Sequence, residues 1–181
     1  MKDILLILII IGIILMSARG VEARQMMEFL KYYIRKVNPK LTYKQIADIS
    51  ESLVTWCDAR GINLFSFTAI CQRESSFNPK AVGDTVSRGI SQLTKMALDE
   101  LVRVGYIKGY DWEALFNVDY NISLGTLYYL YCVRLAKGDR REAIARYRKT
   151  FDPYSATAQE YATSVLKIRD SILKEYNEYK K

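Results

Sequence analysis

No histidine occurs among the 181 residues, so acid–base chemistry in this chain falls to carboxylates, hydroxyls, amides or lysines. The same absence removes Ser–His and Cys–His nucleophile pairs and most zinc and copper sites; no metal or cofactor is expected. Among the carboxylates Glu74 stands apart. It follows the run Phe67-Thr68-Ala69-Ile70-Cys71, on approximately the helix face that carries Leu64, Phe67, Ile70 and Cys71. An ionised carboxylate is costly to desolvate on such a face, and burial raises its pKa toward the protonated state a general acid needs. Periodicity alone also fits a solvated glutamate at a helix end. A second acid for paired-carboxylate chemistry is not obvious nearby. Asp84 is the nearest downstream candidate, and beside Gly83 it reads equally as a turn former.

The elements that must hold Glu74 are helical. Met26, Phe29, Leu30, Tyr33, Ile34 and Val37 recur at helical spacing over 25–37, and Pro39 ends that helix. Thr42 and Gln45 form a capping box opening a helix with the stripe Ile46, Ile49, Leu53, Trp56 and Cys57, stopped by Gly61. Asn63 caps the helix that leads to Glu74. A turn-rich stretch follows from Asn78-Pro79 to Arg88-Gly89, with only short β-like runs. Further helices are predicted at 92–104, 119–136, 139–149 and 157–176. The fold class is mainly α, in one domain.

Half the residues are apolar and 26% are charged, enough for a real core and against wholesale disorder. The net charge of +7 points to an acidic partner such as nucleic acid, an anionic membrane surface or an anionic wall polymer. The positive charges are scattered rather than striped, which argues against nucleic acid. An unbroken apolar run, Ile4 to Met16, follows Lys2 and Asp3. As a helix it rises roughly 20 Å, short of the ~30 Å hydrocarbon core, so residues 1–23 read as a signal peptide or an N-terminal membrane anchor. Residues 4–18 would then direct the chain to the periplasm or cell envelope. Residues 1–23 carry two positive and two negative side chains, so the basicity belongs to residues 24–181. Cys57, Cys71 and Cys132 lie in apolar helical patterns and read as small buried hydrophobes, with a Cys57–Cys71 bridge as the alternative.

Several blocks together resemble one family. Residues 71–83 (Cys71-Gln72-Arg73-Glu74-Ser75-Ser76-Phe77-Asn78-Pro79-Lys80-Ala81-Val82-Gly83) resemble the Glu-Ser motif of the lytic transglycosylase catalytic domain, the lysozyme-like family of soluble lytic transglycosylases. Ser87-Arg88-Gly89-Ile90-Ser91-Gln92-Leu93-Thr94 is similar to its Gly-Leu-Met-Gln-Leu block. Asn121-Ile122, Gly125 and Tyr128-Tyr129-Leu130 match its Asn-Ile-x-x-Gly-x-x-Tyr-Leu helix. Ala143-Ile144-Ala145-Arg146-Tyr147-Arg148 corresponds to Ala-x-x-Ala-Tyr-Asn, and Tyr161-Ala162 with Val165 to the tyrosine that usually precedes the last helix. The blocks keep family order over roughly residues 42–172. Two departures stand out: Arg148 replaces the usual Asn, and Ile90-Ser91 replaces Leu-Met.

The resemblance implies a lysozyme-like fold of about seven helices, with a small irregular or β-like region at the cleft. It also implies cleavage of peptidoglycan between N-acetylmuramic acid and N-acetylglucosamine, with Glu74 acting first as acid, then as base, to close a 1,6-anhydro ring. By match, Ser75 orients Glu74 or bonds substrate, Gln92 addresses N-acetyl groups, and Tyr147 hydrogen-bonds Glu74. Asn121 serves helix start and groove packing, while Phe77, Ile90 and Tyr161 line the groove. Two other readings stand beside this one. The first is a goose-type muramidase in which Asp84 or another loop acid activates water. The second is a weakly active wall-binding component of a secretion or conjugation system, or of a phage particle. Such an assembly is also the expected partner of the enzyme itself, in local opening of the wall.

Overall fold

A computed structural model describes residues 2–83 and 86–181, with side chains from Gly20 onward. Asp84 and the side chains of the 4–18 segment lie outside the described residues. Helix α1 runs Lys2–Val37, α2 Tyr43–Arg60 and α3 Leu64–Ser75. A short antiparallel pair, β1 (Ser87–Arg88) and β2 (Leu93–Thr94), precedes α4 (Lys95–Arg103). A single 3-10 turn, Glu113–Phe116, leads into α5 (Val118–Leu135), α6 (Arg140–Arg148) and α7 (Ala156–Tyr179). The mainly helical expectation holds.

The local signals act as their chemistry dictates. Thr42 caps α2 in a full capping box, and Gly61 ends it in the left-handed region at φ 61°. Asn63 accepts from the Ser66 N–H to cap α3. The helix predicted from residue 92 begins at Lys95, because Leu93 and Thr94 pair with the preceding strand and the Thr94 hydroxyl then caps α4. The 3-10 turn carried no periodic signal.

Helix α5 is the spine. Packed along it, α2 is fastened by Ser52 and Trp56, which donate to one oxygen of Asp119 at 2.9 and 2.8 Å. On its other flank lies α6, and α3 packs against α7. Phe67, Ile70, Leu98, Leu101, Ile122 and Ile144 are fully buried between these layers. Each contributes about 1.5–3 kcal/mol of hydrophobic stabilisation. At the far end Phe29 of α1 packs on Tyr176 and Tyr179 of α7, with ring centroids 5.0 and 5.5 Å apart. All three cysteines are buried free thiols, and no Cys57–Cys71 bridge forms. Among the described residues from Gly20 onward no helix is long and apolar enough to cross a membrane.

Candidate active site

Glu74 sits in the last turn of α3, and the chain leaves that helix through two consecutive left-handed residues, Ser76 at φ 51° and Phe77 at φ 63°. Neither is glycine, so this exit is strained and must be held from outside. Three contacts hold it. The Phe77 ring is fully buried, Asn38 donates to the Ser76 carbonyl at 2.9 Å, and the Ser75 hydroxyl donates to the Ile90 carbonyl at 2.7 Å. Together they fix where α3 stops and therefore where the Glu74 carboxyl points.

That carboxyl meets α7. The Tyr161 hydroxyl donates to Glu74 Oε1 at 2.6 Å. Burial pushes the Tyr161 phenol well above its usual pKa, so it stays the proton donor. Arg73 braces the pair from outside, donating to Ser164 at 3.0 Å with its guanidinium 6.0 Å from the Tyr161 ring centre. Desolvation raises the Glu74 pKa above the ordinary carboxylate range. The Tyr161 bond and the charges of Arg148 and Arg73 offset part of that rise. The result is a half-buried acid biased toward its protonated form.

Glu74 opens onto a cleft of about 870 Å³. One wall comes from the hairpin and the start of α4, with Gly83, Ser87, Gln92, Lys95 and Met96; the other comes from the end of α6 and the turn after it, with Tyr147, Arg148, Phe151 and Asp152. Ser91 is the knot of the first wall. Its N–H and hydroxyl both donate to Asn121 Oδ1, at 2.9 and 2.8 Å, and its carbonyl accepts from Tyr147 at 2.9 Å. Asn121 in turn donates to the carbonyls of Arg88 and Leu115, both at 3.0 Å. Gly125 leaves room for this knot, since a β-carbon there would lie 2.5 Å from the Ser91 hydroxyl and 2.9 Å from the Phe67 ring. The polar Ser91, a departure at the sequence level, is thus the residue that ties hairpin, α5 and α6 together.

Several expected roles change. Tyr147 lines the cleft, but its hydroxyl is spent on the Ser91 carbonyl; Tyr161 is the tyrosine that holds Glu74. Gln92 also lines the cleft, yet its amide donates to the carbonyls of Gly89 and Ala81 at 2.9 and 3.2 Å and accepts from Ser87 at 2.6 Å. Its polar atoms are committed to the loop rather than offered to a ligand. Phe77 and Ile90 are fully buried and belong to the core, not to a groove surface. Ser75 and Asn121 act as braces behind the cleft, Asn121 only 1% exposed. Lys95, Met96, Phe151 and Asp152 reach the cleft without any motif to mark them.

Asp152 is, among the described residues, the one carboxylate besides Glu74 in the cleft lining. It is exposed and lies 3.9 Å from Lys149 Nζ. No group of His, Cys, Asp or Glu able to hold a metal ion occurs among the described residues.

A helical body with a small hairpin beside one sheltered glutamate defines a class, and comparison with known proteins identifies it. Residues 53–170, more than half of the chain, match the transglycosylase SLT domain, and the protein belongs to that family. Among solved structures, the 70 kDa soluble lytic transglycosylase SLT70 from Escherichia coli aligns with TM-score 0.63 and 18% identity, over 85% of this chain and 29% of its own. An inactive mutant of the lytic transglycosylase Slt from Pseudomonas aeruginosa aligns with TM-score 0.61 and 22% identity, over 70% and 24%. A complex of the 70 kDa soluble lytic transglycosylase with bulgecin A gives 0.62 and 18%, over 87% and 30%. At these identities the likeness is one of fold, and it is the lysozyme-like fold. The chain corresponds to less than a third of the length of these structures. No curated protein matches it in sequence.

Proposed function

We propose that this protein is a peptidoglycan lytic transglycosylase that cleaves the β-1,4 bond between N-acetylmuramic acid and N-acetylglucosamine and leaves a 1,6-anhydro-muramyl end. The observation that carries the reading is a sheltered acid: Glu74 faces a cleft of about 870 Å³, has its pKa raised by desolvation and is oriented by Tyr161. Glu74 donates its proton to the glycosidic oxygen as the C1–O bond breaks. The neighbouring acetamido group of the substrate supports the oxocarbenium-like centre. Glu74, now a carboxylate, takes the proton of the muramyl 6-hydroxyl as that oxygen bonds C1. The proton count closes without water. An intramolecular nucleophile has a large effective molarity, so no second carboxylate is required.

A hydrolytic reading that activates water needs a second carboxylate roughly 6.5–9.5 Å from the acid. Of the described cleft residues only Asp152 is of that type, and it is solvated and engaged by Lys149.

Residues 1–23 are read as an export or anchoring segment that directs the domain, residues 24–181, to the periplasm or cell envelope. The unbroken run of α1 from Lys2 to Val37 supports an anchor that continues into the domain. Local opening of the wall for a secretion, conjugation or phage assembly is the role that such a compact domain suits.

Digestion of purified sacculi, with mass analysis of the products, tests the reaction. Wild type is expected to give fragments one water lighter than hydrolytic ones, and Glu74→Gln to fall by about a thousandfold or more. Reducing muramyl ends would instead identify a hydrolase, and a fully active Glu74→Gln would remove Glu74 from the mechanism.

A further inference from the structure

The cleft is more cationic than an uncharged sugar backbone requires. Lys95 enters it from the start of α4, while Arg148 and Lys149 enter at the end of α6. Their surroundings differ. Lys149 faces Asp152 at 3.9 Å, and Lys95 rests 5.4 Å from the Trp112 ring centre. Neighbouring arginines are tied down: Arg146 to Glu142 at 2.6 Å and to the Thr150 carbonyl at 2.7 Å, Arg73 to Ser164 at 3.0 Å. Arg148 is exposed and makes no hydrogen bond or ion pair among the described residues. It stands on the cleft that holds Glu74, near enough for its charge to act on that carboxyl.

A free guanidinium beside a reacting bond is a fork suited to a carboxylate, which it grips through two parallel hydrogen bonds. The β-1,4-linked backbone carries no such group. The muramyl residue does, either on its stem peptide or, where the peptide has been removed, on the lactyl ether itself. We propose that Arg148 is a specificity-determining residue that recognises a carboxylate borne by the muramyl residue at the scissile bond. The inference rests on the glycan-cleaving reading above. Under it, charged strands are preferred to neutralised ones.

Three preparations of soluble glycan strands separate the sources: native strands, strands with stem carboxyls converted to amides, and strands stripped of stems by an amidase so that the lactyl carboxylate is free. Each is cleaved by wild type, Arg148→Gln and Arg148→Lys, and the affinity of each is measured on the same variants carrying Glu74→Gln. Wild type is expected to favour native over amidated strands about tenfold in both kcat/KM and affinity, the scale of one charge-assisted contact. Arg148→Gln should bring that ratio to within about twofold, and Arg148→Lys should keep part of it. Native strands preferred over both others would assign the contact to the stem; stripped strands preferred over both others would assign it to the lactyl carboxylate. Equal handling of all three by wild type, or a preference that survives Arg148→Gln, overturns the proposal. Charge-dependent binding without cleavage would leave it standing while the reaction proposed above fell.

Discussion

The two walls of the cleft are built on opposite plans. On the hairpin side nearly every polar group is spent internally: Asn121 makes four hydrogen bonds, Gln92 three and Ser91 bridges three elements. On the side formed by the end of α6 and the turn after it, more is left open: Arg148 is unpaired among the described residues, Phe151 is 71% exposed, and Lys149 and Asp152 meet only at 3.9 Å. The difference teaches where precision is kept. Between the walls, Glu74 is held by the rigid side and by Tyr161, so the acid does not depend on the free side for its geometry. The free side can then vary with the substrate at little cost to the fold.

The sharpest way to break this contrast is to cut the knot. Asn121→Ala would leave the Ser91 N–H and the carbonyls of Arg88 and Leu115 buried without partners. A loss of about 3 kcal/mol or more is expected in urea unfolding. A loss under about 1 kcal/mol would show that the hairpin wall is not locked as described.

A smaller effect sharpens the account of the acid. Tyr161→Phe removes the bond to Glu74 and should lower kcat about 10–100-fold with little change in KM. The sign of its pH effect follows from the chemistry. That bond favours the ionised carboxylate, so without it the Glu74 pKa rises further. A general acid works only when protonated, hence the descending limb of the pH–rate profile should move to higher pH. A limb that moves down would mean the hydroxyl does not donate to the carboxylate.

Stability carries the same sign. Glu74 holds its proton more tightly folded than unfolded, so its contribution is fully favourable at low pH. It weakens as pH climbs from the unfolded pKa, about 4.3, through the raised folded value. Glu74→Gln should therefore melt no lower than wild type at pH 8, and any advantage should shrink toward pH 4. Thermal melts at the two pH values check this, and a variant less stable only at pH 8 would contradict it.

The smallest effect belongs to the free wall. Phe151→Ala should change stability by less than about 0.5 kcal/mol and act through a rise of a few-fold in KM. A large loss of stability there would erase the contrast between the walls.

This contrast also explains what was legible in the sequence. Thr42 with Gln45, Gly61 and Asn63 announce helix ends because capping is local chemistry. Glu74 could be singled out because helical spacing and the run before it are local too. The partner of that acid was not legible. Tyr147 and Tyr161 are both tyrosines on late helices, and only the packing of α3 on α7 decides which hydroxyl reaches the carboxyl. Gln92 misled for the same reason: its amide is claimed by the carbonyls of Gly89 and Ala81, a loop closure that spacing does not reveal. Phe77 and Ile90 carry groove-like residue types but are consumed in holding the exit of α3. Met96 and Phe151 line the cleft through turn geometry that no periodicity encodes.

The claim beneath all of this is that Glu74 keeps its proton above the usual carboxylate range. Carbon-13 NMR of chain labelled at the glutamate side-chain carboxyls, titrated in wild type and in Glu74→Gln, assigns the Glu74 signal as the one lost in the variant. A midpoint clearly above about 4.3 is the result this account predicts. A midpoint at or below that value would contradict it.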